Sequence, residues 1–330
     1  MTRPPARLAA ALATLALLAG CSKDQGVIAP RPTGPPIVIA FMSNRPPSTI
    51  GGNDIYLYDA ATGDSAAMPP GLDTFYDEGP MGLSADGRWL AFNSTRVLTG
   101  TLATMFTYNV LTGETRLLNT PGSAPYYGAQ NPALSGDGSY LAFHYITGGN
   151  LFDVSVALIA AQADTVVPVP GLHMPGAGEW DPALSADGRL IAFTSNRDGG
   201  SGVFLYSVAG DSMVPLPGLD TPYSETGVSI SADGRYLAFH SNRPGGRGLF
   251  DVYVYDRQTE SLLPTPAANS SLSEINPALS PDGRYLAYTS EDEGAGDIRL
   301  YDLVEQKLLP VAGLNHPYFI DRFPSVSNRP

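Results

Sequence analysis

The stretch Asn276-Pro-Ala-Leu-Ser-Pro-Asp-Gly-Arg-Tyr-Leu-Ala-Tyr288 decides the fold, because close variants of it recur along the chain. The variants share a Ser-x-Asp-Gly core and cover residues 80–92, 131–143, 181–193 and 227–239. Successive repeat serines, from Ser84 to Ser280, are separated by 51, 50, 46 and 49 residues. A repeat of this length indicates one supersecondary unit that recurs in space.

Each repeat predicts an antiparallel meander of four strands. Ala-Leu-Ser is predicted as a short first strand, Ser-x-Asp-Gly-Arg as a hairpin turn and Tyr-Leu-Ala-Phe as a second strand that is apolar on both faces. A third strand follows with the alternation of a half-buried strand, as in residues 54–59 and 297–302. A turn then leads into a fourth strand, such as residues 212–216. Four-stranded units repeated around an axis are the blades of a propeller.

The two ends of the repeat region predict how the ring closes. Residues 37–45 match the second strand of a repeat without a first strand before it, and residues 322–327 match a first strand. Ser327 lies 47 residues beyond Ser280, in phase with the other repeats. The sequence therefore predicts an all-β, six-bladed β-propeller with four antiparallel strands per blade, closed one-plus-three by the C-terminal strand, which removes exposed sheet edges.

The repeat resembles that of TolB-like β-propellers, the WD40-like Asp-Gly repeat family. The resemblance covers residues 36–330, and five of the six units carry the Ser-x-Asp-Gly core. It implies a structural role for that core, so no chemistry is assigned to it. The α/β domain that precedes the propeller in TolB is not expected here, and TolB's partners are therefore not carried over.

The N-terminal residues indicate export and lipid anchoring. Arg3 and Arg7 precede an Ala/Leu-rich apolar run, which predicts a signal peptide over residues 1–20. The run ends Leu18-Ala-Gly-Cys21 and resembles a bacterial lipoprotein box, in which Cys21, the single cysteine of the chain, would carry the lipid. The alternative is an ordinary signal peptide with a cysteine nearby. Since Ser22 is not acidic, the resemblance implies the outer membrane, on its periplasmic or surface face, if the organism has one.

Composition and charge limit the partners. After the signal peptide we expect a Pro-rich tether at 21–35 and then the propeller at 36–330. Loss of the two arginines of residues 1–20 changes the net charge from −13 to −15, with 17 basic and 32 acidic residues remaining. This charge disfavours nucleic acid and anionic lipid surfaces as partners, so we expect membrane attachment through the lipid only. The chain is expected to be monomeric.

No catalytic motif is present in the sequence. Gly-x-Ser-x-Gly, a Walker loop, His-Glu-x-x-His and paired cysteines are all absent, and neither a cofactor nor a metal is assigned. His144 and His240 follow Ala-Phe in two different repeats, so one metal could not easily bridge them. His173 and His316 are predicted to lie in solvated loops.

The position six residues before each repeat serine is acidic in five of six units. Because the connection between blades enters the innermost strand, these carboxylates are predicted to ring one mouth of the central channel, together with aromatic residues of the same connections. The candidate binding residues are Glu78, Glu179, Glu225, Glu274, Asp321, Trp180, Tyr127, Tyr223 and Tyr318. The loop after the second strand opens on the same face and supplies candidate charge partners, Arg45, Arg96, Arg197 and Arg243.

Two interpretations of this ring remain open. It could be an inter-blade belt of arginine–carboxylate pairs and turn contacts, or an acidic, aromatic mouth that binds a cation, an amine-bearing peptide or a sugar. We expect partial pairing that leaves a modest negative potential. The favoured function is a non-catalytic binding or scaffolding propeller that recognises an envelope protein or glycan. The alternatives are a metal-assisted, lactonase-like hydrolase or lyase that uses these carboxylates, and a purely structural or assembly role.

Overall fold

The structure is a computed structural model that describes residues 35–45, 52–64, 67, 69–72, 76–96, 104–118, 129–146, 152–159, 165–219, 221–292 and 295–329. These ranges contain 23 β-strands in six antiparallel sheets and no helix. Among the described residues there is accordingly no apolar helix of membrane-spanning length. The predicted six-bladed β-propeller is confirmed.

Each sheet is one blade, numbered here from the N-terminus. Blade 1 contains β1 (Ile37–Ser43), β2 (Asp54–Asp59) and β23 (Asp321–Asn328). Blade 2 contains β3 (Glu78–Leu83), β4 (Trp89–Ser94), β5 (Thr104–Asn109) and β6 (Thr115–Leu117). Blade 3 contains β7 (Gln130–Leu134), β8 (Tyr140–Ile146), β9 (Phe152–Leu158) and β10 (Thr165–Val167).

The remaining three blades repeat the four-stranded order. Blade 4 contains β11 (Glu179–Leu184), β12 (Leu190–Ser195), β13 (Gly202–Ser207) and β14 (Ser212–Val214). Blade 5 contains β15 (Glu225–Ile230), β16 (Tyr236–Ser241), β17 (Asp251–Asp256) and β18 (Ser261–Leu262). Blade 6 contains β19 (Ser273–Leu279), β20 (Tyr285–Asp292), β21 (Ala295–Asp302) and β22 (Lys307–Leu309).

The C-terminal strand closes the ring as predicted. β23 lies antiparallel to β1, with Val38 opposite Ser327 and Ile39 opposite Val326. In the fourth position of blade 1, the described residues show a single bridge between Leu57 and Ala67. Blade 1 is therefore built from both ends of the repeat region.

The Ser-x-Asp-Gly core forms the tight turn between the first and second strands. In blade 2 the Ser84 hydroxyl donates to Asp86 at 2.6 Å and accepts from the Trp89 N–H at 3.0 Å. Asp86 also accepts from the Arg88 N–H, and Gly87 adopts a φ of 72°, which few residues other than glycine tolerate. The buried serine and the aspartate therefore satisfy the turn's polar groups.

The residue after each repeat serine joins neighbouring blades. The Gly136 N–H donates to Ala186 O at 2.9 Å, and the Ala186 N–H donates to Ala232 O at 2.9 Å. The Ala232 N–H likewise donates to Pro281 O. The N–H of Asn328, the residue that follows the last repeat serine, donates to Ala85 O. The motif that reveals the repeat thus also connects the blades by backbone hydrogen bonds.

The hydrophobic core lies between adjacent blades, where neighbouring sheets face each other. The second strands form its centre, and Leu90, Ala91 and Phe92 of β4 are fully buried. Leu90 and Phe92 pack toward blade 1, whereas Ala91 packs toward blade 3. This explains why the second-strand segments are apolar at successive positions, since both faces of the strand are covered.

The innermost strands are longer than predicted. β11 begins at Glu179 rather than at Ala183, and Glu179 lies opposite Ser195 of β12. A bulge between Trp180 and Ala183 interrupts the pairing. Pro182 lies in this interval, and an innermost strand tolerates it because one edge has no partner strand. The innermost strands begin where the second strands end, on the face of the propeller that we call the top face.

Candidate functional site

The five acidic residues of the predicted mouth all lie at the beginning of innermost strands, but they are buried. Their exposures are 1% for Glu78, 0% for Glu179, 1% for Glu225, 1% for Glu274 and 0% for Asp321. None of them is among the residues that line the central channel. The sequence pattern places these acids around the channel mouth, partly paired with arginines, whereas in the structure they are buried and lie outside the channel lining. Spacing gave their common height in the propeller, whereas their side chains are enclosed by the blades.

Four of these carboxylates are bound by the four predicted arginines. The N···O distance is 3.0 Å for Arg96–Glu78, 3.0 Å for Arg197–Glu179, 3.1 Å for Arg243–Glu225 and 2.5 Å for Arg45–Asp321. In Glu78, Glu179 and Glu225 the partner arginine comes from the same blade, just after the second strand. The arrangement is an arginine–carboxylate belt, but its pairs lie within blades and not, as predicted, between blades.

Aromatic rings hold each arginine in place. The guanidinium carbon of Arg197 lies 4.9 Å from the ring centroids of both Phe193 and Phe204. Arg243 lies 5.0 Å from the rings of Phe239 and Tyr253. The same double contact occurs at the other two pairs, for Arg45 with Phe41 and Tyr56 and for Arg96 with Phe92 and Phe106. The charged pairs are thus part of the packed blades, and cation–π attraction supplements the ion pairs.

Glu274 is the exception among the five acids. In the repeat alignment Asp292 occupies the position of the arginines, so the sequence supplies no arginine there. The Ser270 hydroxyl donates to the Glu274 carboxylate at 2.5 Å and the Ser270 N–H at 3.1 Å. Burial raises the pKa of Glu274, and the nearby Asp251 carboxylate adds to the effect. This junction between blades 5 and 6 therefore carries a carboxylate whose charged form is supported by serine hydrogen bonds instead of an arginine, and burial outweighs that support.

The predicted aromatic residues are more exposed than the acids. Tyr318 is 84% exposed and Tyr223 38% exposed, whereas Trp180 is half-buried. Tyr127 and Cys21 lie outside the described residues. The tyrosine part of the predicted mouth is therefore on the surface, in the loops that precede the innermost strands.

The aromatic residues predicted for the connections between blades include Tyr76, but sequence reasoning missed three further apolar side chains on the top face. They lie in a loop before an innermost strand, at the end of a second strand or in a loop after a second strand. Together with Tyr223 and Tyr318, the large hydrophobic side chains that the described residues expose on this face are Tyr76 (45%), Ile146 (44%), Met174 (45%) and Leu249 (80%). They come from connections spread around the ring, so the top face carries exposed apolar groups on several sides.

The channel itself is narrow and polar at the bulges. It holds a cavity of about 200 Å³, lined by residues of all six innermost strands. Asn131, Asp181 and Asn276 have φ of 49°, 49° and 51° at equivalent positions. The Asn131 amide donates to the Asp181 carboxylate, whose pKa is raised by burial. In the sequence these three residues open the repeats at 131–143, 181–193 and 276–288, but only the bulge in the structure turns them toward the channel.

A second cluster missed by sequence reasoning lies at the junction of blades 3 and 4. His173 Nδ1 is 3.7 Å from Asp153 Oδ1 and 3.7 Å from Glu179 Oε2. Interaction with Glu179 raises the pKa of His173, and the Asp153 charge adds to the effect although burial opposes it. His173 was predicted to be solvated; its side chain is 37% exposed, and it also faces two carboxylates.

His144 and His240 are enclosed at the ends of second strands. Burial lowers the pKa of each to about 4. His144 Nδ1 accepts from the Asp181 N–H at 3.2 Å, and His240 Nε2 lies 2.9 Å from the Thr226 hydroxyl. Both imidazoles are therefore neutral structural groups at neutral pH.

The fold is that of TolB-like six-bladed β-propellers. TolB from Acinetobacter baumannii superposes with a TM-score of 0.64 at 17% identity, over 90% of this chain and 67% of that one. A nidogen/laminin complex chain matches with a TM-score of 0.59 at 10% identity, over 88% of this chain and 99% of that one. Hydrazine synthase from Kuenenia stuttgartiensis matches with a TM-score of 0.57 at 13% identity, over 90% and 47%. No protein-family model and no curated protein matches the sequence.

These likenesses establish architecture alone. At sequence identities of 10–17%, these proteins share the blade geometry with this chain. They include a chain from a protein complex and an enzyme. Function therefore has to be argued from the surfaces and sites of this chain.

Proposed function

We propose that this chain is a non-catalytic binding or scaffolding propeller, held by lipid at the bacterial cell envelope, that recognises a protein or glycan partner through its top face. The observation that carries the proposal is the set of exposed apolar side chains on that face. Tyr318 and Leu249 expose 84% and 80% of their surface. Tyrosine offers a flat apolar ring and a hydroxyl, which suits contact with proteins and with sugars.

The buried acids support a binding role for the loops rather than for the carboxylates. Glu78, Glu179 and Glu225 are bound by arginines that are themselves only 9–15% exposed. A partner could reach these pairs only by displacing the loops above them. The recognition surface is accordingly formed by Tyr223, Tyr318 and the other exposed apolar groups of the top face, and the arginine belt keeps the strand ends in position beneath them.

Site-specific photo-cross-linking tests this assignment. A photoreactive phenylalanine analogue replaces Tyr318 or Tyr223 in the full chain, expressed in its native envelope. The control replaces Val304, which is 73% exposed in the turn between β21 and β22 on the opposite face. We expect a discrete adduct from positions 318 and 223 and none from 304; protease treatment of the adduct distinguishes a protein from a glycan. Equal labelling at all three positions, or none at 318 and 223, would contradict the proposal.

Lipid anchoring rests on the Leu18-Ala-Gly-Cys21 ending after an apolar run. Cys21→Ser should remove the lipid attachment point and leave an unprocessed or soluble chain outside the membrane fraction. Fractionation with mass analysis of the mature N-terminal peptide measures this. A wild-type chain with no lipid mass on Cys21, or a variant with unchanged membrane association, would refute the anchor without affecting the role of the top face.

The metal-assisted hydrolase or lyase of the sequence analysis has weaker support as the main function. It required accessible carboxylates at the channel mouth, and four of the five proposed carboxylates are buried against arginines. The channel cavity contains Asp181, but its carboxylate is engaged by the Asn131 amide. The binding role therefore accounts for more of the observed geometry.

A further inference from the structure

We propose that Asp153, His173 and Glu179 form a binding site for one divalent transition-metal ion, with zinc as the representative, at the junction of blades 3 and 4. One ligand atom from each residue, Asp153 Oδ1, His173 Nδ1 and Glu179 Oε2, lies within 4.8 Å of the other two. The site is independent of the top-face partner proposed above.

The two histidine–carboxylate distances suit a metal after a small contraction. Zinc binds imidazole nitrogen at about 2.0–2.1 Å and carboxylate oxygen at about 2.0–2.2 Å, so two ligands of one tetrahedral ion lie roughly 3.4 Å apart. His173 Nδ1 is 3.7 Å from each carboxylate oxygen, a few tenths of an ångström beyond that separation. The 3.7 Å gaps are also too long for direct hydrogen bonds, and an ion between the three groups would fill them.

Glu179 provides the second, independent observation. The residue is 0% exposed, and its Oε2 atom has no hydrogen-bond partner. Buried carboxylate oxygens are normally satisfied, so an orphaned one needs an explanation. The other oxygen, Oε1, accepts from Arg197 at 3.0 Å and from the Met174 N–H at 3.4 Å. These donors fix the carboxylate and leave one oxygen free as a monodentate ligand, as the outer shell of a metal site does.

Comparison of the junctions shows that His173 departs from the repeat. It directly follows buried Leu172, whereas Asn269 follows Ala268 and Asn315 follows Leu314 in the same turn at two other junctions. There the amide bonds the third strand of the preceding blade: Asn269 to Val252 N and O at 2.9 and 3.0 Å, and Asn315 to Ile298 N and O at 2.8 and 2.8 Å. An asparagine would serve the repeat equally well here, so the histidine indicates a local role.

The donor set selects the class of ion. Imidazole together with carboxylates suits zinc and neighbouring first-row metals, whereas calcium and magnesium prefer oxygen ligands throughout. Two carboxylates contribute negative charge toward a divalent cation, and the Glu179 charge is shared with Arg197. The side chains of His173 and Asp153 are 37% and 28% exposed, so solvent can complete the coordination sphere. His173 binds through a deprotonated Nδ1, and any proton there is released to solvent.

Zinc titration of the purified full chain tests the site, with cobalt absorption as a second readout of coordination. His173→Asn installs the residue of the equivalent junctions and should retain the fold. Asp153→Asn removes a partly exposed carboxylate ligand, and it provides the test of zinc binding if His173→Asn fails to fold. The controls are His316→Gln and Glu274→Gln, which alter another loop histidine and the acid of a junction without histidine.

We expect one zinc ion per wild-type chain, an affinity at least tenfold weaker in both site variants, and unchanged binding in both controls. Zinc should also raise the melting temperature of the wild type and of the controls, because an ion that binds only the folded state stabilises it. Absence of saturable binding in the wild type would overturn the site and leave a protonated His173 bridging two carboxylates. Unchanged affinity in both His173→Asn and Asp153→Asn would overturn it equally.

Discussion

Arg197 holds the buried Glu179 carboxylate at 3.0 Å, in a space where both side chains are less than 10% exposed. Taking two charges out of water is costly, and their attraction offsets this only with good geometry and further hydrogen bonds. The Leu172 carbonyl accepts from the same guanidinium at 2.7 Å. Three other blades repeat the arginine–carboxylate pair, and Arg45 repeats the carbonyl contact with Leu314, so the belt is a property of the fold in this chain.

Removing the arginine from one pair should destabilise the propeller strongly. Arg243→Met keeps the apolar volume between Phe239 and Tyr253 but leaves the Glu225 charge buried without its cation. We expect the free energy of unfolding to fall by about 3–5 kcal/mol, measured by chemical denaturation. The matched control is Arg299→Met, which breaks the exposed pair with Asp297 and should change stability by less than about 1 kcal/mol. Similar small effects from both variants would show that the belt contributes little.

Neutralising Glu274 by substitution should change the stability in the opposite sense to neutralising an acid that is paired with an arginine. Its folded-state pKa is raised by burial, so the charged form is penalised once the pH exceeds the ordinary carboxyl value and rises through the folded value. Glu274→Gln removes that penalty and should leave the melting temperature at pH 7 unchanged or higher. Glu225→Gln removes the carboxylate that pairs with Arg243 and should lower the melting temperature at pH 7. A clear loss of stability in Glu274→Gln, equal to that of Glu225→Gln, would refute the distinction.

The repeat made the fold and the phase of the belt predictable. Spacing of the Ser-x-Asp-Gly cores predicted six blades, and the orphan strands at 37–45 and 322–327 predicted the closure. Spacing could not show that Glu179 is enclosed, because periodicity fixes a position along the repeat and not the depth of its side chain. The bulge at Asp181 and the loop above it decide that depth, and both depend on neighbouring blades.

The site at His173 escaped prediction for a related reason. Asp153 and Glu179 belong to different blades and meet only when the ring assembles. A signal was nevertheless present in the sequence. Several third strands carry an aspartate at the same position, Asp54, Asp153, Asp251 and Asp297. Alignment of the third strands with the following acids would have placed a carboxylate pair at most junctions, with a histidine beside one of them.

Closure by β23 should be required for stability. Val326 is 7% exposed and belongs to the core between blades 6 and 1, where Ile37 and Ile39 also pack. Val326→Asp places a charge in this core and should lower the unfolding free energy by several kcal/mol. Deletion of residues 319–330 should go further and expose strand edges, causing aggregation. The control Val304→Asp alters an exposed turn and should be neutral. A monomeric deletion variant with an unchanged melting temperature would contradict one-plus-three closure.

Acidification should weaken the fold through its two enclosed histidines. Burial lowers the pKa of His144 and His240 to about 4, below the ordinary value of 6.5. Folding therefore favours the neutral imidazole: its contribution is fully present above pH 6.5 and is lost as the pH falls toward 4. Proton linkage gives about 2 kcal/mol per histidine at pH 5. At His144, protonation would also remove the acceptor that receives the Asp181 N–H.

The double variant His144→Asn, His240→Asn tests this pH dependence. Asparagine can still accept a hydrogen bond but does not titrate, so the variant is expected to be less stable at pH 7 because of lost packing. Between pH 7 and pH 5, however, its free energy of unfolding should fall by about 4 kcal/mol less than that of the wild type, measured by denaturant titration at each pH. The raised pKa of His173 acts with the opposite sign and is unaltered in the variant, so the difference isolates the two buried histidines. Parallel pH profiles for variant and wild type would show that these imidazoles are not held neutral by the fold.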